Sequence, residues 1–230
     1  MMVLRQLAFL LLPGVATGQA QVVVDRMVAV VNKRVIMESQ LDQEVRLGRL
    51  LEGKPPAGDK LDFAEKSQAL EQLIDRELLE QQIPPSDMET PSPEELARRL
   101  KEIRAREPGL ETEAGWKARL AADDLTLQDV ERRVISEFSV LYFIDMRFRG
   151  LVRVDKAAIA AYYQDKFLPQ LRNRGAPEPA LAAVSDQIEK ILVEQRVDEM
   201  LNDWIKALRA QAQIDNMLIP PNRPGPGANP

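Results

Sequence analysis

Arg26 to Asp42 reads R-M-V-A-V-V-N-K-R-V-I-M-E-S-Q-L-D. Two short apolar runs, Met27–Val31 and Val35–Met37, flank Asn32, Lys33 and Arg34. Asn tolerates positive φ, so the middle of this stretch predicts a β-hairpin. Ser39 then stands where a helix N-cap belongs, and Asp42 follows three residues later, a capping box with Asp in place of Glu. The order is strand, tight turn, strand, capped helix.

Upstream, Arg5 supplies a positive region, Leu7 to Leu12 a short apolar run, and Gly18-Gln19-Ala20 the small residues that a signal peptidase reads. Pro13 and Gly14 interrupt the alternative of a buried N-terminal helix. The expectation is an exported, soluble protein cleaved near Ala20, with residues 1–20 as signal peptide. The apolar run falls well short of the roughly 20 residues a membrane span needs, so no integral span is expected.

The chain contains no cysteine, which excludes a lipoprotein anchor, disulfides, a thiol nucleophile and thiolate metal ligands. It contains no histidine either, which removes Ser-His catalysis, His-based zinc sites and the commonest general base. No cofactor or metal is expected. Net charge is −5, and loss of the leader removes only Arg5. Such an acidic chain is not expected to bind nucleic acid or anionic membranes. Aromatics make up 5% of residues, few for a large enzyme core. The adjacent carboxylates Asp123-Asp124 and Glu94-Glu95 have no partner base, and the latter open a helix where the dipole favours acids.

Helical periodicity dominates after Ser39. Helices are expected from about Ser39 to Leu51 and from about Leu61 to Gln82. Another begins at Ser92-Pro93-Glu94-Glu95 and runs to about Glu107. A short one carries Trp116 and Leu120. Thr126 caps a long helix from about Leu127 to Phe148. In that helix Leu127, Val130, Val134, Phe138, Leu141 and Phe148 form the expected core seam. Ile135, Tyr142 and Met146 form a second apolar stripe, open to two readings: burial between layers, or a surface kept for ligands. Asp155 caps a helix with Ile159, Tyr162, Tyr163 and Phe167. Pro169 to Pro179 is read as a loop, and Ala180 to Ala212 as a final helix of roughly 50 Å. Ile214 to Leu218 could add a strand, and 220–230, rich in Pro and Gly, is expected to be disordered.

The Arg26–Asp42 pattern resembles the opening of the SurA-type periplasmic chaperones. So does Leu70-Glu71-Gln72-Leu73-Ile74-Asp75-Arg76-Glu77-Leu78-Leu79, an apolar-x-x-Leu-Ile-x-x-x-Leu-Leu helix at the family's distance from the hairpin. Val152, Val154, Asp155, Ile159, Tyr162 and Tyr163 match the family's segment after its N-terminal helical domain. Trp204-Ile205-Lys206-Ala207-Leu208-Arg209 matches its closing helix. The family's parvulin prolyl-isomerase module, of roughly a hundred residues, has no room between Phe167 and Ala180, and parvulin sites use histidines.

The resemblance implies a mainly α, SurA N-terminal or trigger-factor-like helical fold with a small antiparallel sheet joining the chain ends. Residues 21–150 would form the N-terminal-like helical domain, and 151–219 a C-terminal segment packed on it. It further implies a periplasmic holdase for unfolded polypeptides, outer-membrane β-barrel precursors above all, without isomerase activity. Candidate contacts are Met37, Ile135, Tyr142, Met146, Tyr162, Tyr163 and Phe167, with an apolar groove expected between the Thr126 helix and the Tyr162–Tyr163 segment. The competing class is an exported scaffold that docks one folded partner on a flatter patch with paired charges.

Overall fold

Two strands, β1 (Met27–Val31) and β2 (Arg34–Met37), pair antiparallel around Asn32-Lys33 in a computed structural model that describes residues 25–58 and 60–218. The expected signal peptide and the tail at 220–230 lie outside those residues. Asn32 sits at φ 57°, the left-handed region that Asn visits more readily than most side-chain-bearing residues. A third strand, β3 (Ile214–Asn216), runs antiparallel along the other edge of β1, giving the order β2-β1-β3. The small sheet thus joins the two ends of the described chain, as expected.

Asn32 also fastens this junction. Its N–H donates to the Gln213 carbonyl at 2.7 Å, and its Oδ1 accepts the Gln213 N–H at 3.0 Å. Its Nδ2 donates to Gln81 Oε1 at 2.7 Å. The residue that permits the turn therefore also receives the C-terminal strand.

The helices follow the caps in the sequence. They are α1 (Glu38–Leu51), α2 (Phe63–Glu80), α3 (Pro93–Arg104), α4 (Glu113–Ala122), α5 (Leu127–Phe148), α6 (Lys156–Tyr162), α7 (Leu168–Asn173) and α8 (Leu181–Gln211). Ser92, Thr126 and Asp155 cap α3, α5 and α6 by accepting backbone N–H bonds, as the sequence suggested. At α1 the reading differs. The cap position is Met37, whose N–H is taken by Gln40 Oε1 at 2.9 Å. Ser39 lies in the first turn, where its N–H donates to Asp25 Oδ1 at 3.1 Å. Asp42 pairs with Lys66 of α2 at 2.6 Å. The carboxylate serving the start of this helix comes from Asp25, before β1, so a local motif could not reveal it.

Pro169–Pro179 also departs from expectation, because only its later part is a loop. A π-helical turn, Tyr163–Phe167, carries α6 into α7. Pro169 occupies the second position of α7, and proline is well tolerated in a first helical turn.

Beneath the sheet, Val28, Ala29, Val31 and Ile36 pack on Leu41 and Val45 of α1 and on Leu70, Ile74 and Leu78 of α2, with Leu208 closing from α8. The hairpin and the last helix therefore share one core. Leu47, Leu50 and Leu51 continue into a second cluster with Ile103, Trp116, Leu120, Val130 and Val134. The second half of α5 changes partners: Val140, Ile144 and Phe148 meet Leu79, Ile83, Val197 and Trp204. A helix that exchanges one neighbour for another halfway cannot bury one straight seam. Leu127 and Leu141, expected inside, are accordingly exposed, while Val140 and Ile144 take their place.

Charge fixes α5 against α1 and α2. Glu44, almost fully buried, accepts two bonds from Arg76 at 2.9 and 2.6 Å, and one from Arg133 at 3.4 Å. Glycine matters at one crossing: a Cβ on Gly115 would stand 2.1 Å from the Gly109 carbonyl oxygen, closer than any side chain allows.

Candidate functional site

Because α5 rotates its buried side midway, it leaves an apolar strip uncovered. Leu141, Tyr142 and Met146 are exposed, Met146 at 66%, and Phe138 stacks on Tyr142 with ring centres 6.3 Å apart. The segment that follows α2 forms the facing bank. Ile83 is buried beside α5, and a 3-10 turn spans Pro85–Asp87. The Ser139 hydroxyl then donates to the Glu89 carbonyl, pinning this segment to α5.

Between the banks lies an open cleft of about 550 Å³, lined by Ser86, Asp87, Glu89, Tyr142, Phe143, Met146 and Arg147. Phe143 is supported from behind by Trp204 of α8, at 6.2 Å between ring centres. Trp204 also meets Phe148 edge-on at 5.5 Å and carries the Arg147 guanidinium 4.5 Å above its ring, a geometry in which cation and ring attract. The aromatic wall is thus braced, whereas Met146, unbranched and exposed, is free to adapt. A smaller cleft of about 220 Å³ adjoins along the same helix, with Pro91, Val134, Phe138 and Leu141 among its lining. Together they follow α5 over roughly 18 Å from Val134 to Met146.

The candidate residues read from the sequence fall into three places. Tyr142 and Met146 line the cleft, and Ile135, half-buried, lies two turns earlier on α5. Met37 is half-buried on the sheet, paired with the exposed Met27; Val35, two residues before it on the same face, is exposed as well. Tyr162, Tyr163 and Phe167 join neither group. They pack with Ile159, Leu168, Val184 and Ile188 against the first half of α8. Tyr163 is buried, stacks on Phe167 at 6.1 Å, and donates its hydroxyl to the Pro179 carbonyl at 2.6 Å. The α5 cleft has no lining residue from 156–173, so it is not the groove expected between the Thr126 helix and Tyr162–Tyr163. The cleft's second bank is the 84–90 segment instead.

Sequence reasoning named no role for Met88, Phe143 or Leu151, and it placed Leu141 in the core seam. Of these Met88, Leu141 and Leu151 are exposed. Met88 carried the one usable signal, a lone large apolar residue in a polar, proline-flanked linker. Among the described residues no cluster of His, Cys, Asp and Glu could hold a metal ion, and no helix is long and apolar enough to cross a membrane.

No curated protein matches the chain. A family model does: residues 1–142 match the SurA-like N-terminal domain. The match takes in the hairpin, α1 to α4 and most of α5, up to the tyrosine of the cleft. With more than half of its residues covered by that model, the chain belongs to the SurA-like N-terminal domain family.

Proposed function

We propose that the protein is a periplasmic holdase chaperone. It holds unfolded polypeptides, outer-membrane β-barrel precursors among them, and performs no prolyl isomerisation itself. The observation that carries this reading is the uncovered strip on α5, with Leu141, Tyr142 and Met146 in the open beside a cleft wide enough for side chains of an extended chain. A run of exposed apolar side chains costs solubility unless something binds there. Binding by an adaptable apolar strip needs no catalytic group and serves many sequences. Family membership supports the reading, and the absence of histidine agrees with a role without parvulin chemistry. Ile135, Tyr142 and Met146 are the primary contacts in this proposal. Met37 contributes from the sheet, and Tyr162, Tyr163 and Phe167 support the fold behind.

The sheet favours a second reading, docking of one folded partner. Its outer face shows Met27 and Val35, with the ion pair Arg26–Glu38 at 3.1 Å at the open end of the hairpin and Arg34, at the turn end, reaching Glu77 of α2 at 3.2 Å, an apolar patch bordered by paired charges.

The double substitution Tyr142→Ser, Met146→Ser separates the two. Both side chains are exposed, so unfolding free energy should change by less than about 1 kcal/mol. Affinity for an unfolded β-barrel precursor, followed by fluorescence anisotropy, should fall about threefold to tenfold, as expected when contacts are individually weak. Unchanged affinity in the well-folded variant would remove the α5 cleft as the client site.

A further inference from the structure

The cleft at Tyr142 has a polarity that a purely apolar strip does not require. Its two banks differ. The α5 bank presents Tyr142, Phe143 and Met146, and the facing bank carries Asp87 and Glu89. Both acids are exposed, and neither has an ion-pair partner among the described residues; Asp87 accepts only the neighbouring Ser86 hydroxyl, at 2.8 Å. The one cation in the lining, Arg147, is held over the Trp204 ring at 4.5 Å and over Phe148 at 5.6 Å.

The adjoining cleft is built otherwise. There Arg99 reaches Glu102 at 3.3 Å and Glu137 at 3.8 Å, and Arg98 is also present. The acids at the Val134 end are therefore engaged, Glu102 and Glu137 by Arg99 and Glu95 by the Ser92 N–H at 2.9 Å, whereas Asp87 and Glu89 at the Met146 end meet no cation among the described residues.

We infer that the cleft selects, among unfolded polypeptides, segments in which Lys or Arg stands beside an aromatic or large aliphatic residue. The apolar side chain seats against Tyr142, Phe143 and Met146, and the neighbouring cation reaches across to Asp87 and Glu89. This rests on the α5 cleft being the polypeptide-binding site. Lys and Arg suit the geometry because their aliphatic stems lie along apolar surface while the charged end stays in water. Ion pairs this exposed are individually weak, and salt screens them. The result is a bias of a few-fold laid over apolar binding, with faster capture at low ionic strength.

The test uses the full mature protein and three fluorescein-labelled peptides with the same Phe-containing apolar centre, flanked by Lys, by Glu or by Gln. Anisotropy titrations at about 20 mM salt should show the Lys peptide binding about fivefold to tenfold tighter than the Glu peptide. At about 0.5 M salt the difference should shrink below about twofold. The variant Asp87→Asn, Glu89→Gln should lose the preference and bind the Gln peptide as the native protein does. Equal binding of the Lys and Glu peptides to the native protein overturns the inference. So does a preference that survives unchanged in the Asp87/Glu89 variant, which would trace it to the protein's overall negative charge. In either case, weakening of all three peptides by Tyr142→Ser, Met146→Ser leaves the cleft standing as an apolar site. If that variant leaves all three affinities unchanged, the cleft itself is not the site and the selectivity falls with it.

Discussion

Replacing Trp204 with Ala should lower unfolding free energy by about 3 kcal/mol, the low end of the range for large aromatic core truncations. Trp204 is half-buried, which sets it at that end. It is nonetheless the piece of α8 that both Phe143 and Phe148 of α5 rest on, and it carries Arg147. Aromatic pairs of this kind add about 0.5–1.5 kcal/mol beyond buried area. One core spans β1, α2 and the end of α8, and the next cluster joins α5 to the same helix. The loss should therefore appear as one cooperative transition of the whole chain shifted to lower urea. Phe143 forms the wall of the cleft, so client affinity should fall too, even where the variant is folded. Two separated transitions, or a shift worth less than about 1 kcal/mol, would mean that α8 is not part of a shared core.

Asp123→Ala should cost a similar amount, about 3–5 kcal/mol, for an electrostatic reason. The side chains of Asp123 and Arg119 are 0% and 3% exposed, and Arg119 Nε meets Asp123 Oδ2 at 2.7 Å. Arg119 also pairs with Glu107 and donates to the Lys54 carbonyl at 2.7 Å, while Asp123 Oδ1 accepts the Ala57 N–H at 3.3 Å. The pair thus ties the loop after α1 to α4. Removing the carboxylate leaves a buried guanidinium with two of its three partners, Glu107 and the Lys54 carbonyl. The double variant Arg119→Met, Asp123→Ala also removes the under-compensated buried guanidinium and should recover a large part of the loss, because a buried pair and its apolar replacement differ far less than a broken pair does. Urea unfolding of the two variants checks this. A cost below about 1 kcal/mol for Asp123→Ala would show that solvent reaches Arg119 readily.

What was legible in the sequence was local. Asn32 between two apolar runs gave the hairpin. Ser92, Thr126 and Asp155 marked helix starts to the residue. Ile214 to Leu218, just past the last helix, read as a segment that could add a strand, and Ile214 opens β3. What was not legible depended on partners distant in the chain. Asp25 serves α1 from before β1, so Ser39 looked like the cap. The seam of α5 was drawn straight, although its neighbours change along its length, which exposed Leu141 and buried Ile144. The second stripe, Tyr142 and Met146, was identified as a surplus of apolar residues, but its partner bank was misplaced. Nothing local says that residues 84–90 fold against α5 through a serine hydroxyl, or that Tyr163 turns inward to Pro179.

The most direct measurement is site-specific photo-cross-linking. A photoreactive phenylalanine analogue at position 142, in the cleft, is compared with one at position 206, where the Lys206 side chain is 76% exposed on α8. The protein is mixed with an unfolded outer-membrane β-barrel precursor and irradiated. Adducts should form from position 142 and be at least severalfold weaker from position 206. They should fade when unlabelled unfolded precursor competes, and they should be unaffected when the competitor is the same precursor already folded. Equal adduct yield from both positions, or strong adducts with the folded precursor, would contradict a cleft that holds unfolded chains.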